Sequence, residues 1–407
     1  MSFSKIKKNI FYLILVQLAN YVAPLIILPY LARTVGIDGV GIIVICLSIC
    51  GISFIITDFG FAISSTYWIS INRDNKDKIS RHMGATFIIK TILSVIIVCF
   101  LYFYIEFSNV IDNKSILLPL LLTIILQSYQ IPWFFQGIEK MKNITYCTVI
   151  TKMSYLLLVI IFVHTPEDIN IVIICFMISN FLSTLLGFIL YYNSGYYLNR
   201  PNIRVIFSIF KNNIPFFFSR AAVGIYTSAS TLIIGNYAGT SQAALYSSAE
   251  KLYQGAISLT SPISQALYPY MAKTKDRSIL LRFIFLLLPI AILVSIICIV
   301  FSKEIIIFIY GNEFSNATNI LKIFVIISTV SFISINFGYP IYSTINRLDI
   351  VNKSVIIGGC IQLILITSLY FADKISAINV TLSVLITEVI ILLLRIIPFY
   401  LITRSSK

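Results

Sequence analysis

Ten residues carry the chemistry that the sequence offers. Eight charged side chains stand inside long apolar stretches: Asp58, Lys90, Lys152, Arg220, Glu250, Lys251, Glu388 and Arg395. Two amides, Gln17 and Asn20, share a helical face in the first such stretch. A charge at the centre of a membrane helix costs about 2.5–3.5 kcal/mol on insertion scales, so each needs a partner, a wet cavity or a route to the surface. Lys90, Lys152 and Arg395 lie close enough to a helix end to snorkel, as does Arg220. Glu250 and Lys251 lie too deep for that. As helix neighbours they point about 100° apart, so they are not simply paired with each other. At least one faces a cavity or a neighbouring helix. Asp58 precedes Gly60, where a span can break, and either caps that break or acts in function. Together these charges sum to two net positives, a balance that attracts an anionic headgroup such as a diphosphate and repels organic cations.

The elements that position these groups follow from composition. The chain has 407 residues, of which 58% are hydrophobic and 11% charged. An ordinary soluble domain is about a quarter charged. Soluble enzymes, disordered chains and nucleic-acid modules are excluded on that ground. The seven cysteines form no CxxC pair and there are two histidines, so neither a disulfide framework nor a His-based metal site is expected. No cofactor is expected.

Twelve apolar runs of about 20 residues predict an all-α membrane protein with twelve transmembrane helices. They cover 9–32, 40–62, 83–105, 115–137, 144–163, 169–192, 213–235, 243–269, 280–302, 320–343, 353–372 and 376–402. Twenty of the thirty lysines and arginines fall in the N-terminus, the even-numbered loops and the C-terminus; five fall in the odd loops. That bias predicts both termini in the cytoplasm. It also assigns the net charge of +14 to topology and the membrane surface instead of nucleic acid.

The longest internal loop, 193–213, divides the chain into two six-helix lobes, 1–192 and 214–407. Pro201 can start a short helix there; Arg200, Arg204 and Lys211 take one helical face and Ile203, Ile206 and Phe210 another, which describes either an amphipathic helix along the cytoplasmic leaflet or a solvated linker. QIPWFFQGIEKMK ends span four and GYPIYSTINRLD ends span ten. Pro132 and Pro340 are separated by 208 residues, about half the chain, which suggests two pseudo-symmetric lobes of the same orientation.

Four stretches resemble one family. They are LPYLARTVGIDGVGI (Leu28–Ile42), IPWFFQGIEKMKNIT (Ile131–Thr145), ALYSSAEKLYQGAISLTSPISQALYP (Ala244–Pro269) and IYGNEFSNATNILKI (Ile309–Ile323). They are similar to the Wzx O-antigen flippases, polysaccharide exporters of the multidrug/oligosaccharidyl-lipid/polysaccharide superfamily. The resemblance implies two lobes around a central cavity in the bacterial inner membrane. It implies transfer of undecaprenyl-diphosphate-linked oligosaccharide from the cytoplasmic to the periplasmic leaflet by alternating access. The partners it implies are that lipid, membrane lipids, a coupling proton or Na+, and the O-antigen polymerase and chain-length regulator. Arg220, Lys251, Gln17 and Asn20 are then expected to bind substrate, and Asp58 and Glu250 to couple ions or gate. Lys90, Lys152, Glu388 and Arg395 are secondary candidates. An O-antigen polymerase or ligase would be expected to carry a large periplasmic loop, which the sequence lacks. A drug/cation antiporter of the superfamily would need an acidic cavity.

Overall fold

The computed structural model describes residues 3–107, 114–227, 229–274, 277–345 and 347–405, and among them every regular element is a helix. The helices are α1 (Phe3–Thr34), α2 (Gly36–Asp58), α3 (Phe61–Ile71), α4 (Lys76–Phe107), α5 (Leu117–Ser128), α6 (Pro132–Gly137), α7 (Met141–Phe162) and α8 (Ile169–Asn193). After the central loop come α9 (Ile203–Thr227), α10 (Ala229–Ala238), α11 (Thr240–Thr274), α12 (Arg277–Val300) and α13 (Ser302–Tyr310). The last four are α14 (Ala317–Asn336), α15 (Tyr339–Ser343), α16 (Leu348–Phe371) and α17 (Ala377–Ser405).

Nine spans among the described residues are long and apolar enough to cross a membrane, and the bent pair α12–α13, angled at 68°, makes a tenth. The chain is a multi-pass membrane protein. The seventh and eighth expected spans, 213–235 and 243–269, lie in α9–α10 and in α11, outside those ten. These are the segments that carry Arg220, Glu250 and Lys251 among many hydroxyl and amide residues.

The helices gather into two compact units, residues 1–35 with 42–224, and 36–41 with 225–407. In the first unit α7 packs on α1 and α8, α5 on α4 and α8, and α6 on α3. In the second, α14 packs on α11, α12 and α17, and α16 on α17. The amphipathic stretch after Pro201 is the first half of α9, continuous with the segment that carries Arg220. Its Ile206 and Phe210 pack against the first unit's core, while Ile203 is exposed.

Spans four and ten both break. α5 ends at Ser128 and α6 begins at Pro132; α14 ends at Asn336 and α15 contains Pro340 in its first turn. A proline cannot donate to the preceding turn, so it starts a helix well and continues one badly. The two breaks carry the 208-residue register of the sequence. Span two breaks as well. Phe59 (φ 48°) and Gly60 (φ 81°) turn left-handed between α2 and α3. Any Cβ on Gly60 would lie 2.6 Å from the Phe216 Cβ of α9, so the position requires glycine both for its φ and for this contact.

Candidate functional site

The first unit's buried charges meet at the span-two break. Asp58, the last residue of α2, turns back so that its Oδ2 accepts from Ala62 N of α3 at 3.2 Å. It therefore caps the helix that starts after the break. From α4, Lys90 reaches the same place. Its side chain is 0% exposed, and its Nζ stands 3.8 Å from Asp58 Oδ1. The Lys90 ammonium donates to the Ser128 carbonyl at 2.9 Å. Ser128 ends α5, so that carbonyl belongs to the negative end of a helix and lacks an intrahelical donor. The rings of Phe61 and Trp133 flank the ammonium, with centroids 5.8 and 5.7 Å away. Lys90 thus points inward to a helix end instead of snorkelling.

The second unit repeats this chemistry from a different helix. Arg395 of α17 is 8% exposed. Its Nη1 donates to the Ser334 carbonyl at 2.7 Å and to Ser334 Oγ at 3.0 Å, near the C-terminus of α14. Its Nε donates to Ser354 Oγ of α16 at 3.0 Å. In both units, then, a buried cation satisfies carbonyls freed by a broken span. Glu388 lies two turns away from Arg395 on α17 and is half-buried.

Glu250 and Lys251 sit on α11, whose Ala243–Glu250 stretch is the buried centre of the second unit. Tyr310 donates to the Ser248 carbonyl at 3.1 Å, and the rings of Tyr246 and Tyr253 pack on Phe324 of α14. Glu250 is 8% exposed and Lys251 half-buried. Lys251 Nζ donates to Gln254 Oε1, one turn on, at 3.1 Å. Arg220 is exposed on α9, Gln17 is exposed on α1, and Asn20 and Lys152 are half-buried. The structure therefore brings Asp58 and Lys90 together in one unit, sets Glu250 beside Lys251 on one helix of the other, and gives Lys90 and Arg395 backbone partners.

Some of the surroundings were not singled out from sequence. Trp133, Phe134 and Phe135 of the WFFQGIEKM stretch are core residues of α6. They are pressed onto α3, where a Cβ on Gly137 would lie 2.7 Å from Ile69. Arg73 closes this corner through the Gly137 carbonyl at 2.8 Å and Glu139 at 2.5 Å. His82 is buried against Ser65, and its signal in the sequence was the i, i+4, i+8 series His82, Thr86, Lys90. Gln130, in the break between α5 and α6, donates to Asn180 of α8, and Gln362 of α16 pairs with Ser383 and Thr387 of α17, the last two being hydrogen bonds between helices.

Residues 6–275 match the family described as polysaccharide biosynthesis protein. The chain is 25% identical over 397 residues to the "Putative O-antigen transporter" of Escherichia coli (strain K12), covering 95% of this chain and 94% of that one. Among solved structures it is similar to the lipid II flippase MurJ in an inward closed conformation (TM-score 0.78, 16% identity), which covers 96% of this chain and 87% of MurJ. It is also similar to an inward-facing multidrug resistance transporter of the MATE family (TM-score 0.73, 12% identity), covering 96% and 95% of the two chains. The fold is the one these transporters share.

Proposed function

Because the chain belongs to the polysaccharide biosynthesis protein family, we propose that it is a membrane transporter, not an enzyme, and that it carries a lipid-linked oligosaccharide from one leaflet to the other. The observation that carries this reading is the end-to-end similarity to the Escherichia coli protein, in a fold that a lipid flippase also uses. The substrate class is an undecaprenyl-diphosphate oligosaccharide of O-antigen type. Transfer runs from the cytoplasmic to the periplasmic leaflet of the inner membrane by alternating access, with both termini in the cytoplasm.

The physical task is to move a sugar and a diphosphate through about 30 Å of hydrocarbon. Neither group can be stripped of water without partners. Lys90 and Arg395 already serve helix ends. Three in-span cations remain: Lys152, half-buried on α7, Arg220, exposed on α9, and Lys251, half-buried on α11; the last two are assigned to the phosphates. A guanidinium suits the phosphate oxygens through paired hydrogen bonds and an ammonium as a point charge. Gln17 and Asn20 offer amides to sugar hydroxyls. Glu250, beside Lys251, competes with the anion for that ammonium and so favours its release. The polyprenyl tail stays in the lipid.

In cells whose O-antigen display depends on this protein, Arg220→Ala with Lys251→Ala should abolish display while the protein inserts at wild-type level. Wild-type display in that double variant would remove these two residues from the mechanism.

A further inference from the structure

A third side chain joins Glu250 and Lys251 on α11. Gln254 stands one turn on from both, at the i, i+4 spacing from Glu250 and the i, i+3 spacing from Lys251 at which helix side chains meet. Its Oε1 accepts from Lys251 Nζ at 3.1 Å. It also shares a side-chain hydrogen bond with Glu250. The partners fix which end of the amide does which. An ammonium has only donors and a carboxylate only acceptors, so Oε1 faces Lys251 and Nε2 faces Glu250. A glutamate at this position could serve the ammonium alone, and an apolar residue neither group. Among the described residues Glu250 and Lys251 meet through this amide and not in a direct ion pair.

The surroundings hold Glu250 in place. Tyr246, Glu250 and Tyr253 follow at i, i+4 and i+7 on one face of α11. Both tyrosine rings pack on Phe324 of α14, at 5.4 and 5.1 Å, and the Tyr253 hydroxyl lies 3.3 Å from Ser331 Oγ. Glu250 is thereby buried, while Lys251 and Gln254 are half-buried beside it. A lysine stem is long and flexible enough to swing its ammonium back onto a neighbouring carboxylate. A buried ion pair formed that way is costly to open, and a phosphate would have to open it before binding. A neutral amide oxygen holds the ammonium less tightly than a carboxylate does, so a phosphate oxygen can take its place.

We propose that Gln254 is a positioning residue for the anion: it keeps the Lys251 ammonium off Glu250 and yields it to a phosphate oxygen of the diphosphate. The inference rests on the transport reading above, in which Lys251 serves the phosphates, and adds the group that keeps this cation available. When the anion arrives, Lys251 exchanges the Gln254 carbonyl for a phosphate oxygen, and the Gln254 amide keeps its bond to Glu250. When the anion leaves, the carbonyl takes the ammonium back; no covalent bond changes. Glu250 competes for the ammonium, and Gln254 sets how strongly.

Binding to the full-length protein in detergent tests this with two probes, inorganic pyrophosphate and a labelled lipid-diphosphate oligosaccharide. Gln254→Met keeps the length of the side chain and removes both hydrogen bonds, which lets Lys251 fall onto Glu250. Both probes should then bind about tenfold more weakly, equivalent to about 1.4 kcal/mol. Adding Glu250→Gln removes the competing carboxylate and should recover most of that loss. The exchange Glu250→Gln with Gln254→Glu keeps the same two groups and the same net charge. It sets the carboxylate directly against Lys251, so binding should stay as weak as in Gln254→Met. Being close to isosteric, the exchange also keeps the test should the methionine variant fold poorly. Wild-type affinity in Gln254→Met or in the exchanged pair would overturn the inference. So would a loss in Gln254→Met that Glu250→Gln does not recover, since that is how a packing residue behaves. Pyrophosphate binding in the expected order, in a protein that does not move the lipid between leaflets, would count against the transport reading instead. A wild type that binds neither probe would overturn both.

Discussion

At the scale of single residues, the same type of side chain does different work according to what faces it. Lys90 and Arg395 resemble Arg220 in the sequence: each is a cation several residues inside an apolar run. The difference comes from residues far away in sequence, the Ser128 carbonyl for Lys90 and Ser334 with Ser354 for Arg395. Nothing within one helix indicates that pairing, which is why snorkelling and inward burial could not be separated from sequence. Removing one member of a buried pair leaves a charge stranded, at a cost of about 3–5 kcal/mol. Asp58→Ala should accordingly lower the thermal midpoint more than Asp58→Ala combined with Lys90→Met, as read by a fluorescence melt in detergent. For Arg395, lysine keeps the charge but loses the fork that serves Ser334 and Ser354 together. Arg395→Lys should cost about 1–3 kcal/mol by the worth of hydrogen bonds to charged groups, visible as a lower midpoint with insertion unchanged.

At the scale of elements, the breaks matter more than the spans. Span lengths were legible because about 20 apolar residues have few other uses. Gly60 marked one break in advance; Pro132 and Pro340 were legible only as a repeat, and the structure breaks spans four and ten beside them. The amphipathic pattern after Pro201 was legible as a helix, but its continuity into the segment with Arg220 was not, because Asn212 and Asn213 read as a loop end. The structure buries Asn213, which accepts from Ser64 and donates to the Ile209 carbonyl at 2.8 Å. Gly60→Ala tests the span-two joint. A left-handed φ costs a residue with a Cβ about 1–2 kcal/mol, and here the methyl also meets the Phe216 Cβ and backbone. Folded yield should fall well below that of a control such as Gly239→Ala, where φ is also positive but nothing stands within 4 Å. Equal yields would mean that α3 and α9 do not need this close approach.

At the scale of the whole molecule, a membrane fold stands beside a proposed diphosphate cargo. The fold follows from composition and is shared with known transporters. The cargo rests on family membership and on which cations are left over once helix ends are served. The twelve crossings read from the sequence would put both termini on one face, and the distribution of lysine and arginine would make that face cytoplasmic. Reporter fusions at the two ends should therefore both read as cytoplasmic; opposite readings would require an odd number of crossings and redraw α9–α11. The central claim has a direct measurement. Purified protein in liposomes is given labelled undecaprenyl-diphosphate oligosaccharide in one leaflet, and its arrival in the other is followed with a membrane-impermeant reagent. The account predicts protein-dependent arrival that is much slower when Arg220 and Lys251 are both alanine. Arrival no faster than in protein-free liposomes would contradict it.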